Sequence, residues 1–273
     1  ITLRRGKIDK EILDKCKKLK VISRHGVGYD NVDIKCLKDK KITLLVAGTT
    51  TSTSPAEHIM FMILNISKSF NLFDKSVRNG KFEEAMHAKH KSFELCNKKI
   101  LIVGFGRIAK KLIKRCLGFE MKVFIYDPFV DKKIMENLGG KKIDNLEEGL
   151  KEIDILSLSV PLTKDTYNII NFKKMKLMKK TAIIINTSRG GVVNEADLNE
   201  ALNKKIIYGA GLDVFEKEPP DANNPLLKNK NVILSPHAAT FTQECLSNMS
   251  IQTAQNIIDF FENKLKNEMI VKL

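Results

Sequence analysis

An uninterrupted apolar run, residues 100–103, leads straight into Gly104-Phe-Gly-Arg-Ile-Ala109. A run this short with glycines directly behind it reads as a buried strand closed by a tight turn. Apolar residues at helical spacing then continue over about 107–117. The pattern recurs. Residues 122–126, 153–159, 182–185, 206–210 and 232–234 read as further buried strands, with helical segments such as 195–203 between them. Strands that are apolar throughout and alternate with helices pair in parallel and are covered on both faces. The predicted fold class is therefore α/β, with a doubly wound parallel sheet.

The first third of the chain reads differently. Residues 19–22 and 42–46 are short strand candidates. Between them lie the glycine turn His25-Gly-Val-Gly-Tyr-Asp30 and a short helix over 32–38. Ser54-Pro55 opens a longer helix, with Ser as N-cap, Pro at the first position and Glu57 in the first turn. A last amphipathic helix spans about 242–264. This divides the chain into a larger α/β domain over 67–242 and a smaller one built from 1–66 and 243–273.

Composition narrows the function class. Lys and Arg exceed Asp and Glu by 47 to 32, a net charge of +15. The lysines are scattered, and no arginine-rich arm or aromatic-basic stripe accompanies them, so a nucleic-acid partner is not expected. A positive field does favour small anions. No apolar run approaches the ~20 residues of a membrane span. The five cysteines are widely spaced and form no CxxC pair. Neither a metal site nor a disulfide framework is expected, and a reduced, cytoplasmic protein is the simplest reading.

The glycine turn matches G-x-G-x-x-G/A between a strand and a helix, the setting in which that triplet binds a dinucleotide. Gly104 allows the tight turn, Gly106 lets a pyrophosphate approach the backbone, and Ala109 permits close packing of helix on strand. Asp127, at the end of the next strand, is placed to hold the adenosine ribose hydroxyls. No Arg or Lys follows it directly, so NAD is expected rather than NADP.

Three further motifs supply reactive groups. Arg189 lies in Asn186-Thr-Ser-Arg-Gly-Gly191, after a predicted strand. Its guanidinium can fork to a substrate carboxylate and polarise the neighbouring carbonyl. His237 in Ser235-Pro-His237 can carry a proton near neutral pH. A carboxylate beside it would fix its tautomer, and Glu218 and Glu216 are both candidates. Asp213 either accepts from a nicotinamide carboxamide or caps a loop. Gly26-Val27-Gly28 is either an anion-binding nest or a plain turn.

Taken in order, these motifs resemble the D-isomer-specific 2-hydroxyacid dehydrogenase family, and within it the D-3-phosphoglycerate dehydrogenases. Arg24-His-Gly-Val-Gly-Tyr-Asp-Asn-Val-Asp33, Ser54-Pro-Ala-Glu-His58, the glycine loop, Val160-Pro-Leu162 and the three reactive motifs carry the likeness. The resemblance implies a Rossmann-type nucleotide domain, a flavodoxin-like substrate domain and a homodimer formed through the nucleotide domain. It implies that Arg189, Glu218 and His237 are catalytic, and it selects Glu218 over Glu216. It implies that Gly104, Gly106, Arg107, Ile108, Asp127, Pro161, Thr187 and Asp213 contact NAD. It assigns Val27, Gly28 and Arg189 to the substrate, a 2-hydroxy or 2-keto acid; Arg24 and the basic field could serve a phosphate, which puts 3-phosphoglycerate first, with glyoxylate, hydroxypyruvate or D-lactate as alternatives. A non-enzymatic, NAD-responsive corepressor with the same motifs is the alternative of another class. The family has a further N-terminal strand and helix, so the substrate domain is expected to be truncated here, with Ile1–Gly6 as a later strand. Thr49-Thr-Thr-Ser-Thr53 departs from the family's Asn-containing stretch.

Overall fold

The computed structural model describes residues 6–48, 50–87 and 92–273. Of the strand expected over 1–6 only Gly6 is described, and of the departure at 49–53 all but Thr49. In chain order the elements are α1 (Lys10–Lys15), β1 (Val21–Arg24), α2 (Ile34–Asp39), β2 (Thr43–Val46), α3 (Thr53–Ser67), α4 (Phe70–Arg78) and α5 (Phe82–His87). Then follow β3 (Lys99–Val103), α6 (Arg107–Gly118), β4 (Lys122–Tyr126), α7 (Lys132–Glu136), β5 (Lys141–Lys142), α8 (Leu146–Glu152), β6 (Ile155–Leu158) and α9 (Phe172–Met175). The chain closes with β7 (Ile183–Asn186), α10 (Glu195–Asn203), β8 (Gly209–Leu212), β9 (Val232–Leu234) and α11 (Gln243–Phe261).

Local chemistry starts many of these helices. The side chains of Asp9, Asp33, Asp131, Asn145, Asn171, Asn194 and Thr242 each accept from an amide in the first turn that follows. Each such cap is worth ~1 kcal/mol.

The chain divides into two compact units, one comprising residues up to Ser54 with Thr240–Leu273, the other Pro55–Ala239. The larger begins earlier in the chain than residue 67. The reason is α3: Ile59, Met60, Met62, Ile63 and Ile66 are buried in the same core as Ile100, Ile102, Ile183 and Ile185. The larger unit holds a seven-stranded sheet in the order β5-β4-β3-β6-β7-β8-β9, every pairing parallel. Side chains alternate across it. Ile100, Ile102 and Ile155 join the core shared with α3 and α6, while Leu101, Val103, Leu156 and Ile184 join one shared with α8 and α10. Helices cover both faces, as parallel pairing requires.

β8 lies later in the chain than the apolar run at 206–210. Its glycines explain the shift. A Cβ on Gly211 would sit 3.0 Å from both Ile185 Cδ1 and Met62 Sδ, and one on Gly209 would sit 2.9 Å from the Asn231 carbonyl oxygen. The strand is squeezed where α3 crosses it, so glycine is chosen against β propensity.

The smaller unit pairs β1 and β2 in parallel, from Val21↔Thr43 to Arg24↔Val46. Leu13, Ile22, Leu37 and Leu44 form its main core. Cys245 and Met249 of α11 pack on Ala47.

Candidate active site

Seven connections leave the carboxyl edge of the seven-stranded sheet, and all but the one after β5 carry a candidate residue. Gly104 follows β3, Asp127 follows β4 and Pro161 follows β6. Thr187 and Arg189 follow β7, Asp213 and Glu218 follow β8, and His237 follows β9. In doubly wound sheets ligands bind beyond this edge, where the strand order reverses. Here that reversal lies between β3 and β6.

The two glycines of the β3–α6 loop are needed for different reasons. Gly104 has φ +95°, and a Cβ there would come within 2.5 Å of the Ser159 carbonyl oxygen. The protein's own packing demands this glycine. Gly106 is the N-cap of α6 at φ −74°, ψ −173°, with no side-chain cap. A Cβ on it would meet nothing within 4 Å. The space above the helix terminus is open, and uncapped amides at the positive end of the dipole suit a phosphate. Ala109 is fully buried, Arg107 is exposed and Ile108 is half-buried. Asp127 Oδ2 accepts from the Phe105 N–H at 2.8 Å and Oδ1 from the Phe129 N–H at 2.9 Å. The carboxylate is thereby locked to the glycine loop, with lone pairs left for hydroxyl donors. Pro161 is exposed and its carbonyl accepts from Thr166 Oγ1 at 2.6 Å, and Thr187 is half-buried.

The proton-handling pair is assembled. His237 Nδ1 lies 2.7 Å from Glu218 Oε2. An ionised carboxylate only accepts, so Nδ1 carries the hydrogen and Nε2 is the ring atom left to exchange a proton. Glu218 Oε1 also accepts from the Phe215 N–H at 3.2 Å. Partial burial pushes the Glu218 carboxyl up, but the hydrogen bond and charge of His237, the Phe215 amide and the charge of Arg189 together hold it below the usual carboxylate range. Glu216 is engaged elsewhere. Its Oε1 accepts from the Glu195 N–H at 2.9 Å, at the start of α10.

Arg189 sits in a loop built by Asn186. The Asn186 Nδ2 donates to the Arg189 carbonyl at 2.9 Å, and its Oδ1 accepts from the Ser188 N–H at 3.0 Å. Arg189 Nη1 donates to the Ser188 carbonyl at 2.6 Å. Beside it, a Cβ on Gly190 would stand 1.8 Å from the Phe215 carbonyl oxygen. Gly190 thus lets the Arg189 loop touch the segment that carries Glu218. Sequence reading passed over both Gly190 and Asn186, although the paired glycines after Arg189 were the signal.

Asp213 is fully buried. Oδ1 accepts from Ser235 Oγ at 2.5 Å and from the Ala238 N–H at 2.7 Å, and Oδ2 accepts from the Ala239 N–H at 2.9 Å. Of its two expected roles, these bonds are the loop cap.

In the smaller unit, Arg24 is 5% exposed and its Nε donates to the Gly28 carbonyl at 3.0 Å. Gly26 has φ +130° and its carbonyl accepts from the Ala47 N–H at 2.9 Å. The Gly26–Gly28 turn is therefore pinned by both neighbouring strands, with Val27 exposed.

Residues 60–239 match the family model described as D-isomer specific 2-hydroxyacid dehydrogenase, NAD binding domain. A glyoxylate reductase of Thermococcus litoralis is 39% identical over the whole chain, which covers 83% of that protein. A D-3-phosphoglycerate dehydrogenase of Archaeoglobus fulgidus is 38% identical over 93% of the chain, but the chain spans only 47% of its length. Among solved structures, D-lactate dehydrogenase from Aquifex aeolicus, complexed with NAD and lactic acid, superposes with a TM-score of 0.87 at 31% identity, over 97% of this chain and 84% of that one. The chain belongs to the D-isomer-specific 2-hydroxyacid dehydrogenase family and carries its NAD-binding domain.

Proposed function

We propose that the chain is an NAD-dependent oxidoreductase that interconverts a D-2-hydroxy acid and its 2-keto acid. The observation that carries this reading is the His237–Glu218 pair at 2.7 Å, beside Arg189 at the carboxyl edge of the nucleotide sheet. When bound, NAD would supply or take up the hydride. In the reductive direction His237 Nε2 gives its proton to the substrate oxygen. Glu218 steadies the resulting change of charge on the ring. Arg189 forks to the substrate carboxylate, and the family likeness assigns Val27 and Gly28 to substrate binding as well. Asp127 accepts from the ribose 2′-hydroxyl and repels a 2′-phosphate, which favours NADH. Gly106, Arg107 and Ile108 would hold the pyrophosphate, and Pro161 and Thr187 the rest of the cofactor.

Two substrates are in view. The phosphoglycerate dehydrogenase relative and the positive charge support 3-phosphoglycerate. The burial of Arg24, which holds Gly28 in place, and a glyoxylate reductase aligned over the full chain support a small acid such as glyoxylate or hydroxypyruvate. We favour the small acid. Rates of NADH oxidation with glyoxylate, hydroxypyruvate, pyruvate and 3-phosphohydroxypyruvate decide this. A preference for the phosphorylated acid would reverse the choice.

The same reading includes a homodimer through the nucleotide unit. Helix α4 has no buried residue, and Phe70, Leu72 and Val77 are more than half exposed, as are Phe82 and Met86 of α5. Exposed large apolar side chains on two successive helices are the kind of surface a partner covers.

A further inference from the structure

His58 lies on α3, far in sequence from the reactive motifs, yet its Nε2 stands 2.9 Å from Ser235 Oγ and 3.6 Å from Asp213 Oδ1. Proton bookkeeping orders this chain. The Asp213 carboxylate offers only acceptors and already takes the Ala238 and Ala239 amides. The single Ser235 hydroxyl proton therefore points at Asp213. The Ser235 oxygen is left to accept, so His58 Nε2 must carry a hydrogen and donate.

These bonds bracket His237. Ser235 precedes it by two residues, and Ala238 and Ala239 follow it. His237 itself has φ +55°. Such a backbone persists in a non-glycine residue only where its surroundings over-determine it. Asp213 anchors both flanks of that turn, and Asp213 and Ser235 are in turn held by His58.

We infer that His58 is a positioning residue: through Ser235 and Asp213 it fixes the turn that aims the His237 ring. This rests on the proposal that His237 transfers the proton. His58 touches neither reactant, and it acts by keeping Ser235 from rotating away from Asp213. An aiming error of 1 Å can cost about 10²-fold in rate.

The test uses the full chain and two variants of His58. Gln places an amide N–H near the position of the imidazole Nε2, and Phe fills the space without a donor. With NADH and glyoxylate, His58→Phe is expected to lower kcat about tenfold or more, while KM and the Kd for NADH stay within about twofold. His58→Gln is expected to recover most of the loss. Adding Ser235→Ala to His58→Phe is expected to cost less than about twofold more, because the two act as one unit. An unchanged kcat in His58→Phe, or a Gln variant no better than Phe, overturns the inference. Imidazole nitrogen NMR of the unmodified chain is read in parallel, with His58 assigned from the signal lost in His58→Gln. A protonated Nε2 is expected, and a bare Nε2 overturns the proton order whatever the activity. If the unmodified chain reduces no 2-keto acid at all, the functional proposal fails, and the NMR result still judges the hydrogen-bond chain.

Discussion

Gly104 and Gly106 are two residues apart in one loop, yet replacing each with alanine should produce opposite signatures. At Gly104 the new side chain meets the Ser159 carbonyl oxygen at 2.5 Å and the Val160 Cγ1 at 2.9 Å, on a backbone at φ +95°. The backbone conformation costs about 1–3 kcal/mol and the forced repacking roughly as much again. At about 2–4 °C per kcal/mol for a domain of this size, Gly104→Ala should lower Tm by about 5–20 °C. At Gly106 the dihedrals suit any residue and the Cβ meets nothing. Only the weaker N-cap preference of alanine acts, up to about 1 kcal/mol. Tm without cofactor should therefore move by no more than about 4 °C. The added methyl nonetheless occupies the space a pyrophosphate needs, so the Kd for NADH should rise about tenfold or more, equivalent to ~1.4 kcal/mol. Thermal unfolding without cofactor and titration of NADH fluorescence read the two effects separately. The chain contains no tryptophan, so the NADH signal is free of that background. A Gly106→Ala variant that binds NADH as well as the unmodified chain would refute the placement of the pyrophosphate over this helix terminus.

Three other perturbations follow from the site. Glu218→Gln removes the charge that favours a protonated His237, so the pH profile of keto-acid reduction should shift to lower pH, and an identical profile would remove Glu218 from the mechanism. The Glu218 carboxyl is held below its ordinary value of 4.5 in the folded state. Its contribution to stability should accordingly be complete above that pH and fade as pH falls through the lowered value, a pH-dependence that Tm scans of the Gln variant should lack. Arg189→Lys keeps the charge but loses the fork, so kcat/KM for a 2-keto acid should fall by roughly 10²-fold while NADH affinity holds, and equal loss of both would place Arg189 at the cofactor instead. Phe70→Asp with Val77→Asp should convert a dimer to monomers by light scattering, and an unchanged mass would move the interface away from α4.

Much of the nucleotide unit was legible because its strands are apolar throughout and its helices carry their own caps. β4 and α10 fall where the pattern placed them. β8 was read too early because two of its residues are glycines, whose value lies in what they do not touch. Periodicity cannot register an absence of that kind. The edge strand β5, two lysines long, has no apolar signal at all. At the site, residue chemistry pointed to Arg189, Glu218 and His237. It did not separate Glu218 from Glu216, because both precede Pro219 within a few residues and only the folded loop turns one to His237 and the other to α10. Asn186, Gly190 and His58 were quoted within motifs but given no role. Each acts on a loop distant in sequence or by close approach, and such pairings exist only once the sheet is assembled.

The most direct test of the functional reading compares a 2-keto acid with a ketone of matched size under the same conditions. The rate of NADH oxidation is followed with pyruvate and with acetone, across a range of each. The account predicts turnover of the acid and a ketone kcat/KM lower by at least about 10²-fold, since a ketone has no carboxylate to accept from the guanidinium fork. A ketone reduced as efficiently as the acid would contradict the assignment, even with the dinucleotide loop intact.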